Sequence, residues 1–263
     1  MKYQIHHLIL FGLIFFLSPS YMAWTKDPKS LIADSIAAMG GKSAFYAKKD
    51  VSYTYIYRDN KSGLENISEE KYLFDGELSW GKYHKYEKFV IPGKEGEVIQ
   101  VFDGINTYVT LDGKLINDPK VVKMAEFTRK TNYYWFAMMF KLLDPGLIYL
   151  YEGEGVVNGI QYDKVKITFE EGVGDAKDIY LVYINRKTKL IDQFLFTVMD
   201  FGKKDPLLMM VEYEAVDGIK LPARRKYTQS NWNAEPYNDL WVDEISKNIT
   251  FNTGLTREFF QKP

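Results

Sequence analysis

The chain contains no cysteine. That excludes a thiolate nucleophile, a zinc–thiolate centre, a disulfide framework and acylation on an N-terminal cysteine. Histidine is almost as scarce, at three residues. His6 and His7 lie in the leading segment, and His84 sits among lysines in the alternating stretch GKYHKYEK, where a solvated strand histidine is expected. Net charge is also lacking, with 34 Lys and Arg against 35 Asp and Glu. A balance of that kind argues against nucleic-acid binding, which rests on a basic surface. Neither a G-x-S-x-G elbow nor an H-E-x-x-H helix is present, so no nucleophile–base pair can be named and an enzyme is not expected. The acidic loop Glu170–Asp178 lacks the spacing of a calcium loop and reads as a glycine-containing turn. No cofactor and no metal site is expected.

The longest apolar run at the start, Leu8–Leu17, is ten residues and cannot span a bilayer core of about 30 Å. With Lys2 before it and Ser18-Pro19-Ser20 after it, residues 1–23 read as a Sec-type signal peptide, cleaved after Ser20 or Ala23. The rest, 24–263, is expected to form one domain in the periplasm or outside the cell. Neither a repeat of fixed period nor a Pro/Gly/Ser-rich linker divides it.

What the chain does have is aromatic rings, 16% of all residues. Asp27-Pro28 and the stripe Leu31, Ile32, Ile36 and Met39 predict a helix stopped at Gly40-Gly41. Val51, Tyr53, Tyr55 and Tyr57 then fall on one face of a strand. Asp-Gly and Asn-Gly pairs at 103–104, 112–113, 158–159 and 217–218 punctuate alternating runs as hairpin turns. A last strand is expected around Leu240–Ile245, followed by a frayed tail. About ten to twelve antiparallel strands with few helices predict an α+β fold.

One stretch breaks the strand pattern. Asp118-Pro119 opens a helical region through about Arg129, and Tyr133–Leu143 follows, with only Lys141 charged and seven of eleven residues aromatic or methionine. As a helix it is about 16 Å long, and apolar nearly all round, so it must be buried. The sheet is the natural container. Such a plug is either plain core or the floor of an apolar cavity. Met139 and its neighbour Met138 suit variable acyl chains, and Tyr133, Tyr134 and Trp135 suit an apolar-to-wet boundary. The candidate ligand-binding set is therefore Tyr53, Tyr55, Tyr133, Trp135, Phe136, Met139 and Phe140.

This layout resembles the LolA/LolB-like superfamily, the outer-membrane lipoprotein carriers and their relatives. The likeness rests on the N-terminal helix running through Gly40-Gly41-Lys42-Ser43-Ala44-Phe45 into the aromatic strand. It rests also on the strands around Tyr180–Asn185 and Leu190–Asp192, and on Asp217-Gly218-Ile219-Lys220-Leu221-Pro222. FKLLDPG and FEEGVGD resemble a subgroup of Bacteroidetes-type genomes. The resemblance implies a curved, unclosed half-barrel with helices covering its concave face, and a carrier that shields acyl chains of lipid or lipoprotein there. It implies a gating arginine near the mouth, for which Arg58 is the one position considered. The alternative is an envelope scaffold or protein-interaction module with a dry core and a protein partner.

Overall fold

The computed structural model describes residues 26–88, 90–173, 178–199 and 202–263. The expected signal peptide and part of the acidic loop lie outside these residues. Thirteen strands form one antiparallel sheet in the order β6-β5-β4-β3-β2-β1-β13-β12-β11-β10-β9-β8-β7. It is an open, curved half-barrel whose outermost strands, β6 and β7, do not meet.

The first six strands, β1 (Asp50–Asp59), β2 (Leu64–Leu73), β3 (Leu78–Tyr86), β4 (Val98–Phe102), β5 (Thr107–Leu111) and the two-residue β6 (Lys114–Leu115), run as a meander. A second meander holds β7 (Leu147–Val157), β8 (Ile160–Phe169), β9 (Tyr180–Asn185), β10 (Ile191–Val198), β11 (Lys203–Val216) and β12 (Ile219–Gln229). The final strand β13 (Val242–Phe251) inserts between β1 and β12 and joins the two. The count exceeds the ten to twelve expected because β6 is very short. The last strand also runs six residues beyond Ile245. Its alternation is hidden by a register shift opposite Ser52–Thr54, where Asn248 adopts a left-handed φ of 55°. Nor is the tail frayed: a 3₁₀ turn (Arg257–Phe260) buries Phe260 completely against Leu78 and Val101.

Helix α1 (Pro28–Ala38) begins as expected, with the Asp27 carboxylate accepting from the amides of Lys29 and Ser30 and proline in the first turn. At its end Gly40 has φ 112°, and a Cβ there would stand 2.7 Å from the carbonyl oxygen of Gly218. The short α2 (Lys42–Tyr46) follows and buries Phe45. The expected break near Arg129 is absent: α3 runs unbroken over Pro119–Lys141, 23 residues and about 35 Å. After Pro119 in the first turn, which the Asp118 cap precedes, no glycine or proline occurs before Lys141 to stop the helix. Its charged first half keeps it from being a membrane span, and no helix among the described residues is long and apolar enough to be one.

The helices and one sheet face share the main core. Leu31, Ile32 and Ile36 of α1, Phe45 of α2 and Phe136–Phe140 of α3 pack with Tyr53, Tyr72, Val165, Val182, Phe194 and Met209 from six strands. The first half of α3 packs separately, setting Ala125 and Val121 against Tyr83, Val98 and Val109 of β3–β5. On the outer face, Leu181, Tyr183, Leu195 and Leu208 are covered by Ala234 and Trp241 from the β12–β13 connection. Strands β9 and β10 are thus buried on both faces, which explains their nearly unbroken apolar sequence.

A candidate apolar site under helix α3

The second half of α3 projects rings in two directions. Phe136 stacks on Tyr53 of β1 at 4.9 Å between ring centres and meets Tyr72 of β2 edge-on at 5.7 Å. One turn later Phe140 stacks on Phe45 at 4.1 Å, and Phe45 continues to Phe74 at 4.7 Å. Tyr133, four residues before Ala137, meets Tyr72 at 5.4 Å, and its hydroxyl has no partner among the described residues. On the other side, Trp135 is half-buried, stacks on Phe194 at 6.0 Å and meets Phe196 edge-on at 5.0 Å. Met139 is fully buried in the same cluster. The sheet side alternates as the sequence reading expects: Tyr53 and Tyr55 point inward with centres 6.3 Å apart.

All seven candidate residues therefore lie in the main core or against it. Tyr53, Tyr133 and Phe136 converge on Tyr72, a ring the candidate set omitted. Trp135 stands apart from them, over β10. Burial pushes the hydroxyls of Tyr53 and Tyr133 well above the ordinary tyrosine range, and that of Tyr134 to about 12. Every ring in this set is neutral at physiological pH.

The face is not wholly apolar, and its charges were missed by the sequence reading. Glu70 of β2 and Arg129 of α3 are both fully buried and face each other, with Nη1 donating to Oε2 at 2.6 Å and Nη2 to Oε1 at 3.1 Å. Glu70 also accepts from Ser68 Oγ at 2.6 Å and Tyr72 OH at 2.9 Å, while Arg129 Nη2 donates to Tyr83 OH at 3.2 Å. Burial alone would lower the guanidinium pKa, but the Glu70 charge outweighs it and holds Arg129 firmly protonated. The guanidinium lies over Gly81 of β3, where a Cβ would stand 2.1 Å from Nη1. Only glycine leaves room for it.

The second buried cation is Arg225 of β12. Its Nη1 donates at 2.6 Å to the backbone carbonyl of Trp135, and its guanidinium sits 5.8 Å from the Trp135 ring centre. Its Nη2 lies 2.8 Å from Glu244 Oε2 of β13. Burial raises the Glu244 carboxyl above its usual range, with Arg225 opposing. At the end of α3, Lys141 bonds Glu77 at 2.6 Å and Asp144 at 2.9 Å. So polar contacts fasten the helix at its middle, in its second half and at its C-terminal end.

Arg58 does not belong to this site. It is exposed at the end of β1, on the opposite face from Tyr57, and pairs with Glu65 at 2.6 Å. Strand alternation places every second residue outside, and Arg58 is one of those. The signal for the buried arginines was nonetheless present. Arg129, Tyr133, Phe136 and Phe140 are spaced as one helix stripe, and Arg225 alternates inward with Leu221, Ala223 and Tyr227. His84 is exposed on β3.

The arrangement leaves little open space. Where α3 meets β12 and β13, a crevice leaves no room for a water molecule. A roomier notch of about 280 Å³ between the ends of β8 and β9 is a separate feature at Thr168, Glu171 and Ile179.

Fold and face together define an unclosed antiparallel half-barrel whose apolar side is plugged by a helix. No family model matches the sequence, and no curated protein matches it significantly. Solved structures do match. A DUF1329 family protein from Desulfovibrio piger aligns with a TM-score of 0.55 at 15% identity, over 89% of this chain and 98% of that one. A LolA superfamily protein from Nitrosomonas europaea aligns with a TM-score of 0.53 at 10% identity, over 89% of this chain and 97% of that one. The chain has a LolA-like fold.

Proposed function

We propose that this chain is an exported, non-enzymatic carrier or binder of an apolar ligand, the acyl chains of a lipid or lipoprotein. The ligand would be held between the ring-lined sheet face and α3, in the periplasm or outside the cell. The observation that carries this reading is the make-up of the plug contact. Rings of α3 lie on rings of the sheet, a non-directional contact that hydrocarbon can replace. The magnitudes allow exchange. An acyl chain of about 14–16 carbons gains roughly 11–13 kcal/mol on leaving water. Displacing five large side chains of the plug costs roughly 8–15 kcal/mol at about 1.5–3 each. Near balance is what a carrier that must also release its cargo requires. The leading segment supports export, and the likeness to a LolA superfamily protein supports the carrier class.

Native mass spectrometry of protein purified without detergent, followed by solvent extraction, tests this. A co-purifying lipid or acylated peptide is the expected result. In Trp135→Ala, lipid retention falls while circular dichroism stays native; unchanged retention on an intact fold removes Trp135 from the site. A second reading, a scaffold or interaction module with a dry core, is favoured by the crevice that excludes water. A clean unliganded mass, with no uptake of added fluorescent fatty acid, would establish it instead.

A further inference from the structure

Strands β12 and β13 are partners only over Arg224–Tyr227 and Val242–Ile245. Below that point β12 stays on β11 and β13 stays on β1, and the sheet forks. The fork follows from the residues there. Pro222 has no N–H to give a neighbouring strand and sits where the β11–β12 register slips. Across from it, Asn248 turns β13 at its bulge. Leu221 and Ala223 line one side of the crevice and Ile249 the other, with Phe136 of α3 behind them and Ser246 and Arg225 completing it.

Arg225 is only 7% exposed, and its Nε–H has no partner among the described residues. A buried cation with a spare donor at an apolar slot matches an anionic head on a hydrocarbon tail. Carboxylate and phosphate oxygens are strong acceptors for that remaining guanidinium N–H, the two Nη atoms already serving Trp135 and Glu244. We propose that the fork is a ligand subsite for a single-chain amphiphile with an anionic head, the head on Arg225 and the chain lying between β12 and β13 under Phe136. This rests on the carrier reading and narrows its ligand class. Widening the fork breaks no ladder hydrogen bond, because the β12–β13 ladder stops at Arg224 and Ile245. Lifting all of α3, by contrast, would pull Arg129 from Glu70.

Dodecanoate, dodecyl phosphate and dodecanol are the probes, with affinity measured by calorimetry and the fluorescence difference between the wild type and Trp135→Phe as a second signal. The wild-type chain should bind one or both anions at least about tenfold more tightly than the alcohol, the effect of one charge-assisted hydrogen bond. Which anion is preferred separates carboxylate from phosphate recognition. In Arg225→Met with Glu244→Gln, neither charge is left buried alone. The preference should vanish there while dodecanol binding persists. Ala223→Phe fills the slot and should weaken all three; if it does not fold, Ser246→Leu narrows the slot from β13. Equal binding of anions and alcohol by the wild type, or anion binding untouched in a folded slot-filling variant, overturns the subsite. If all probes then still bind, the carrier reading survives without it. If none binds the wild type, both fail.

Discussion

At residue scale the decisive group is the Glu70–Arg129 pair, because both charges are fully buried. Glu70→Gln leaves the guanidinium without its counter-charge and should cost about 3–5 kcal/mol. Gly81→Ala should be comparably damaging, since its methyl would occupy the position of Arg129 Nη1. Arg129→Met with Glu70→Leu should cost less than the sum of the two singles, leaving mainly Ser68 Oγ without an acceptor at about 1–3 kcal/mol, because the Tyr72 hydroxyl keeps Tyr53 and the Tyr83 hydroxyl keeps Gln100. Urea denaturation of Arg129→Met, Glu70→Leu and the double variant measures this, and additive costs would show that the pair is not coupled. The pair escaped the sequence reading for a physical reason. Charged residues are usually outside, and only a partner on α3, 59 residues away in the chain, makes this inward placement tolerable.

At the scale of elements, α3 joins two different surfaces. Its apolar second half was legible from composition, because a helix without a polar side has to be buried. Its first half reads as an ordinary amphipathic helix, so the join at Arg129 looked like a boundary. Phe140→Ala, which empties a fully buried site against Phe45, should cost about 3–5 kcal/mol by urea unfolding. The β1–β2 hairpin is tied to the β3–β4 connection by Lys88 and Asp59. Chiefly through the hydrogen bond from Lys88, the Asp59 carboxyl is held at about 2, below its ordinary 3.8. A lowered carboxyl pKa adds stability above the unfolded value and loses it as pH falls through the folded one. Between pH 4 and pH 2 the wild type should therefore lose up to about 1 kcal/mol that Lys88→Met lacks from the outset. Urea midpoints across that range give the comparison, and parallel curves would mean the tie is silent.

At the scale of the whole molecule, hairpins were readable and strand order was not. Asp103-Gly104 and Asn158-Gly159 fix neighbouring strands through local turn chemistry, whereas nothing local says that the last strand lies beside the first. Val51 pairs with Phe251 and Asp59 with Val242, across nearly the whole described chain. Those contacts are formed late, since non-local pairing carries the largest loop-closure cost. Strand β13 is then the member without which the two meanders have no ladder between them. A chain ending at Asp239 keeps twelve strands but exposes the inner edges of β1 and β12, both long and flanked by apolar rings. Unpaired edges of that kind recruit other chains. The truncated protein should lose its cooperative thermal transition and elute as aggregates on gel filtration, even though every turn signal remains. If it stays monomeric and melts cooperatively, each meander is stable alone and β13 is a bridge between two folded halves.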